Sequence, residues 1–140
     1  MQTIQVNLPL AMGALPLKIY GAHIQGNVTA SGVMSGELHG VIRKTDIDTQ
    51  IIPAVAQLLT EQIRKNPMSS TAQTIIRLFE DQAGNEASKK KCMNTPAKCC
   101  SIPASLPTCE IIAEEVRTNA LIGNVLASDV TTNDVPDVTR

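Results

Sequence analysis

The 140-residue chain has 12 basic and 13 acidic side chains, a net charge of −1 and a pI near 6.1, so it lacks the basic footprint of a nucleic-acid binder. Its apolar fraction of 43% is that of a folded protein, and its length suits one domain burying about two thirds of its unfolded surface. Only Tyr20 and Phe79 are aromatic, so the core is aliphatic and the stacked rings of sugar-binding or single-strand-binding platforms are missing.

No run of about 18 apolar residues occurs, so no transmembrane helix is predicted. Met1 to Leu10 has no basic region followed by an apolar core and does not read as a signal peptide. The chain is therefore either cytosolic or has lost a targeting segment. Thr3 to Leu8 alternates, with Ile4, Val6 and Leu8 on one face. This predicts a strand, which Pro9 places at an edge or an end. Leu10 to Pro16, holding Gly13 and Pro16, reads as a connection.

Ile19 to Arg43 reads as a β-hairpin, and the rest of the chain is organised around it. With the turn at Ala30-Ser31-Gly32, residues whose numbers sum to 62 face one another. Tyr20 then meets Ile42, Ala22 meets Gly40, Ile24 meets Leu38 and Val28 meets Met34 on an apolar face. His23 meets His39, Gln25 meets Glu37, Asn27 meets Ser35 and Thr29 meets Val33 on a mostly polar face. Period-two alternation on both arms fixes the register, because a one-residue slip would turn the apolar row to water. A three-residue loop ending in glycine suits a type I turn followed by a left-handed residue. Gly26 falls opposite Gly36 on the apolar face, marking a bend or a closely packed helix. Ile24, Val28, Met34 and Leu38 are expected to be buried.

Thr45 to Lys65 carries Ile47, Ile51, Ile52, Val55, Leu58, Leu59 and Ile63 at helical spacing, with Thr45 as N-cap and Asp46 and Asp48 in the first turn. Pro53 should kink or split this helix, and Pro67 ends it. It is expected to lie across the hairpin's apolar face through Ile51, Val55, Leu58 and Leu59. A second helix starts at Ser70, where Ser70 and Gln73 match a capping box, and buries Ala72, Ile75, Ile76 and Phe79 before ending near Asp81. Asp81 to Pro107 reads as an irregular loop, and its run Lys89-Lys90-Lys91, with Lys98 near, as a solvated basic cluster. Ile111, Ile112 and Val116 fit a short helix or a strand equally well. Thr118 is the expected N-cap of a last helix bearing Leu121, Ile122, Val125 and Leu126.

The fold class predicted is α+β: an antiparallel sheet built on a central hairpin, covered on one face by two or three helices, with a disulfide-stapled loop. Residues 1–140 form one domain. It is β-rich over 1–44, has two helices over 45–82 and a cysteine-bearing loop over 83–110, is helical over 111–127 and ends in a polar tail over 128–140.

All four cysteines, Cys92, Cys99, Cys100 and Cys109, fall in that loop among Pro96, Pro103 and Pro107. Ordering so long a loop is entropically costly unless it is stapled. Even-numbered, clustered cysteines read as two disulfides in an oxidising compartment. The spacing C-x6-C-C-x8-C lacks the C-x2-4-C knuckle of zinc sites. Cys99 and Cys100 are poor mutual partners, since a bridge between neighbours strains the intervening peptide. That leaves Cys92–Cys99 with Cys100–Cys109, or Cys92–Cys100 with Cys99–Cys109. The crossed set is preferred, because it would tie both ends of the loop to one central point.

His23 and His39, the only histidines, lie directly opposite each other in this register and form a candidate metal pair, with Glu37 the nearest carboxylate. Asp129, Thr131, Asn133, Asp134 and Asp137 place oxygen side chains along the C-terminal stretch, where a hard cation such as calcium could be wrapped. That stretch lacks the glycine and glutamate of an EF-hand loop. Asp81 to Glu86 is a second short acidic loop. No G-x-S-x-G, H-E-x-x-H, Walker or G-x-G-x-x-G motif is present, so no enzyme is predicted, and no cofactor beyond calcium in the tail.

Five stretches in order, YGAHIQGNVTASG, GELHGVI, DIDTQIIPAVAQLL, STAQTIIRLFEDQ and TNALIGNVLASDV, resemble a group of uncharacterised secreted proteins and lipoproteins of myxobacteria. They span roughly residues 17 to 130. The resemblance implies export, a cleaved leader and a longer native chain, and carries over no functional residue. The expected function is a non-catalytic exported domain, secreted, periplasmic or on the outer cell surface, that is structural or binds a protein or cell-envelope component. A calcium- or metal-dependent module and a small cytosolic enzyme with free thiols are the alternatives.

Overall fold

In the computed structural model, residues 2–10, 13–80, 85–125 and 138–139 are described. Strands β1 (Thr3–Leu10), β2 (Gly13–Thr29) and β3 (Gly32–Arg43) form an antiparallel meander, and a two-residue strand β4 (Val138–Thr139) pairs with Ile42 and Arg43 at the far edge of β3. Leu10 to Pro16 is not a connection. β2 begins at Gly13, and Pro16 sits within it opposite Asn7. Proline is tolerated there because β3 joins β2 only from Tyr20 onward, so at Pro16 that side of the strand needs no donor.

The hairpin keeps the expected register over its middle, where His23 faces His39, Ile24 faces Leu38, Gln25 faces Glu37, Gly26 faces Gly36 and Asn27 faces Ser35. It slips by one residue at both ends. The turn has two residues, Ala30 and Ser31, so Thr29 pairs with Gly32 and Val28 with Val33 rather than Met34. At the base Tyr20 pairs with Val41 rather than Ile42. Gly21, at φ 60°, is the extra residue that absorbs this second slip, in a left-handed conformation that glycine adopts without strain.

The architecture is the expected α+β one, an antiparallel sheet built on the central hairpin, with helices and a disulfide-stapled loop. The expectation for the apolar arm fails. Ile24 is 67% exposed, Val28 76% and Leu38 42%, while the side chain of Met34 lies outside the described residues. Among the described residues, this face joins the helical core at its base, where Ile42 packs against it; Ala22, on the same face, is also buried. The core itself is helical.

β3 runs directly into α1 (Lys44–Asp46), a π turn (Ile47–Ile51) and α2 (Ile52–Lys65). With no linker, Thr45 already lies inside the first turn and cannot cap it. Arg43 takes the N-cap place, without a side-chain bond. The helix is divided next to Pro53, as expected, with α2 starting at Ile52. The turn before it widens, the Ile52 N–H bonding the Ile47 carbonyl five residues back, next to the donor that Pro53 lacks. The extra residue rotates the downstream helix by about 100° relative to an unbroken pattern. The buried stripe is therefore Ile52, Ala56, Thr60 and Ile63, and Ile51, Val55, Leu58 and Leu59 are only half-buried.

α3 (Ser70–Phe79) buries Ala72, Ile75, Ile76 and Phe79 as expected. Its cap is Ser69, whose hydroxyl accepts from the Ala72 N–H at 3.1 Å, and Gln73 reaches back to the Pro67 carbonyl instead of closing a capping box. The supposed irregular loop holds a helix, α4 (Glu86–Asn94), capped by Asn85 accepting from Ser88. Two 3-10 turns, Pro96–Lys98 and Pro103–Ser105, lead to α5 (Ala113–Arg117) and α6 (Ala120–Val125). Asn119, not Thr118, caps α6, accepting from the N–H groups of Leu121 and Ile122. The Thr118 hydroxyl instead donates back to the Glu114 carbonyl.

The disulfides are Cys92–Cys99 and Cys100–Cys109, with Cα separations of 4.8 and 4.9 Å, so the crossed pairing is overturned. The Pro96–Lys98 turn folds the chain back on the end of α4, bringing Cys99 beside Cys92. Cys99 is extended, at φ −83° and ψ 116°, which turns its neighbour Cys100 to the other side. There the Glu110 N–H bonds the Lys98 carbonyl at 3.1 Å and lays Cys109 alongside Cys100. Stepwise reduction with a different alkylating tag at each step should place one tag on Cys92 and Cys99 and the other on Cys100 and Cys109. Shared tags on Cys92 and Cys100 would contradict this path.

Candidate functional site

Three charged side chains meet in the interior next to the disulfides. Glu80 closes the C-terminus of α3, Lys91 lies in the last turn of α4, and Glu115 is in α5. Their side chains are 0%, 4% and 0% exposed. The Lys91 ammonium donates to both oxygens of Glu115 at 2.9 and 3.1 Å and to the Glu110 carbonyl at 2.6 Å, and lies 3.4 Å from Glu80. Glu80 accepts the Cys100 N–H on both oxygens, at 2.7 and 2.8 Å. Glu115 also accepts the Ile112 N–H at 2.7 Å, which caps α5. All three groups thus find the partners that burial of charge demands.

Lys91 is therefore not part of a solvated basic loop, unlike its exposed neighbours Lys89 and Lys90. Composition cannot tell the three lysines apart. The signal lies one level up: on a helix, Lys91 follows Ala87 and Ser88 by four and three residues, and Ser88 is 2% exposed.

One ammonium faces two carboxylates. Burial pushes the Glu80 carboxyl above its ordinary value of 4.5, and Glu115 pushes the same way, against the pull of Lys91 and the Cys100 N–H. Since the folded-state pKa is raised, the native state holds the proton more tightly than the unfolded chain. The stability from this group is greatest below pH 4.5 and is lost as pH rises through the raised value.

Of the sequence-derived ligands, the histidine pair lies among the described residues. His23 and His39 do face each other, but on an exposed sheet surface, and the His39 Nε2 is 3.1 Å from Glu37. Asp129, Asn133, Asp134 and Asp137 lie outside the described residues, as does Thr131. Among the described residues, the set of three ligating side chains within 4.8 Å of one another is Glu80, Cys92 and Cys99, and there the two sulfurs are bonded to each other.

The second unusual feature is the outward apolar row on β2 and β3. Ile24 and Leu38 stand side by side, Val28 stands beyond them, and paired Gly26 and Gly36 lie between. Polar side chains occupy the other face, and the Arg43 guanidinium stacks 4.1 Å from the Tyr20 ring centroid. No helix among the described residues is long and apolar enough to cross a membrane. Comparison with protein-family models, with curated proteins and with solved structures finds no match.

Lys91→Met leaves two carboxylates buried without their cation, and should cost about 3–5 kcal/mol in urea denaturation. Lys90→Met, at an exposed position, should cost under about 0.5 kcal/mol. Glu80→Gln removes the titration while keeping the volume. The stability of the native chain relative to this variant should fall as pH rises from 4.5, in denaturation curves taken at several pH values. A relative stability that rises over that window would contradict the assignment.

Proposed function

We propose that this chain is a non-catalytic exported module that binds a protein or cell-envelope component through the apolar face of its sheet. The observation that carries this reading is the row Ile24, Leu38 and Val28, exposed by 67%, 42% and 76% on the β2–β3 hairpin. Folded chains seldom leave a contiguous apolar patch on a sheet without a partner for it. Two disulfides in a small domain support an oxidising compartment, and the resemblance to secreted proteins of myxobacteria points the same way. In this reading the helical half, closed by the disulfides and the ion cluster, is a rigid base that presents the sheet.

The test uses the intact chain and the washed envelope fraction of the producing cell. The chain should co-sediment with that fraction. Ile24→Ser with Leu38→Ser should reduce retention about tenfold or more, given about 1.5–3 kcal/mol per buried aliphatic side chain. Equal retention of the variant, or four alkylatable thiols in freshly exported protein, would overturn the proposal.

A further inference from the structure

We infer that the Cys92–Cys99 bridge is an exchange site, where an external thiol attacks the Cys92 sulfur and Glu80 gives the proton that the Cys99 sulfur takes as it leaves. The inference concerns the helical half and does not depend on what the sheet face binds. Of the four cysteines, Cys92 alone is not buried, while Cys99, Cys100 and Cys109 are 2%, 3% and 0% exposed. Thiol–disulfide exchange needs a sulfur that the incoming thiolate can reach, so it begins at Cys92. The Cys100–Cys109 bridge lies inside the core and offers no such sulfur. The Glu80 Oε1 is 3.1 Å from the Cys92 Sγ, and a Glu80 carboxyl oxygen and both sulfurs lie within 4.8 Å of one another. A bridged sulfur has no hydrogen to donate, so any proton between these atoms comes from the carboxyl. Among the described residues, the charged groups facing Glu80 are Lys91 and Glu115. The Lys91 ammonium bonds Glu115 at 2.9 and 3.1 Å but stands 3.4 Å from Glu80, so its charge is directed chiefly at Glu115. Lys98, beside Cys99, is paired with Glu110 at 2.7 Å. Glu80 is thus the carboxyl of the cluster that can hold a proton, and burial keeps its pKa above the ordinary value.

The reaction balances with a small dithiol as reductant. Its thiolate bonds to the Cys92 sulfur, the Cys92–Cys99 bond breaks, and the electron pair leaves with Cys99. The Glu80 proton passes to that sulfur, which would otherwise depart as a thiolate at a buried position. The dithiol's second sulfur then displaces Cys92, closes the dithiol's own disulfide and yields its proton to Cys92. The bridge gains two electrons and two protons, the dithiol is oxidised by two electrons, and Glu80 is left ionised until it takes a proton from water. An ionised Glu80 repels the incoming thiolate and has no proton to give. The active form is therefore the acid, and exchange per thiolate falls as pH rises through the raised value. Cys100–Cys109 and the Arg64 bonds to the Thr108 and Cys109 carbonyls still hold the cysteine segment, so the fold outlasts the reaction.

The experiment follows reduction of the intact, disulfide-bonded chain by dithiothreitol from about pH 5 to 9, with acid quenching, alkylation and mass mapping, and divides each rate by the thiolate concentration. Hydroxyethyl disulfide, which has no neighbouring carboxyl, is the reference. Cys92 and Cys99 should be the first thiols to appear. Their rate constant per thiolate, relative to the reference, should fall about tenfold or more as pH rises across that range. In Glu80→Gln, whose helical circular dichroism should match that of the native chain, the constant should start at the lower value and stay level. A purely structural role for Glu80 would change stability and leave this pH profile alone. First opening at Cys100–Cys109, a level profile in the native chain, or the same fall in a folded Glu80→Gln variant would each overturn the inference. If the variant does not fold, the native profile against the reference decides by itself.

Discussion

The helical half depends on one ammonium group. Lys91 sits between Glu80 and Glu115, and through their second hydrogen bonds those carboxylates hold the Cys100 N–H and the start of α5. Four separate pieces of chain, α3, α4, the cysteine segment and α5, therefore meet at a single charge. Desolvating three ionised groups is costly, and their attraction offsets that cost only when the remaining lone pairs and protons are also satisfied. Here the backbone supplies those partners. An apolar core of Ile, Leu and Val could fill the same space, but would be indifferent to how short helices slide against one another. The ion cluster is not, because each carboxylate has a fixed set of donors.

The disulfides and the polar staples act at the same level. Cys92–Cys99 and Cys100–Cys109 shorten the path between α4 and α5, and the second bridge lies within the apolar core beside Leu106 and Ile111. Arg64 donates to the carbonyls of Thr108 and Cys109, and the Thr60 hydroxyl accepts the Ile111 N–H at 2.9 Å. These bonds dock the cysteine segment along α2, whose buried face was set by the π turn before Pro53. Asn119 donates to the Leu78 carbonyl and so ties the start of α6 to the end of α3. A core with a single aromatic side chain, Phe79, gains its definition from such directed contacts as much as from packing.

The sheet is held differently. It continues the helical half through Ile42, with β3 running without a break into α1, and then extends beyond the reach of the helices. One half of the molecule is thus closed by charge pairs and disulfides, and the other offers an exposed apolar strand face. That asymmetry is the physical basis for reading the first as scaffold and the second as contact surface.

The sequence by itself determined the α+β class, the central register of the hairpin, the apolar stripe of α3 and the presence of two bridges among four cysteines. Each is a local property, set by side-chain period, by turn chemistry or by the entropy of a long loop. It could not decide which face of the first helix turns inward, because the π turn that rotates it relieves a backbone donor missing at Pro53. It could not decide the bridge pairing either, which follows from a 3-10 turn placing Cys99 against Cys92. Lys91 was hidden among identical neighbours, because its role exists only once α4 packs against Glu80 and Glu115 from residues 11 before and 24 after it. The exposure of Ile24, Val28 and Leu38 was equally beyond reach. Alternation says that one face is apolar, and only the position of the helices says whether anything in the same chain lies upon it.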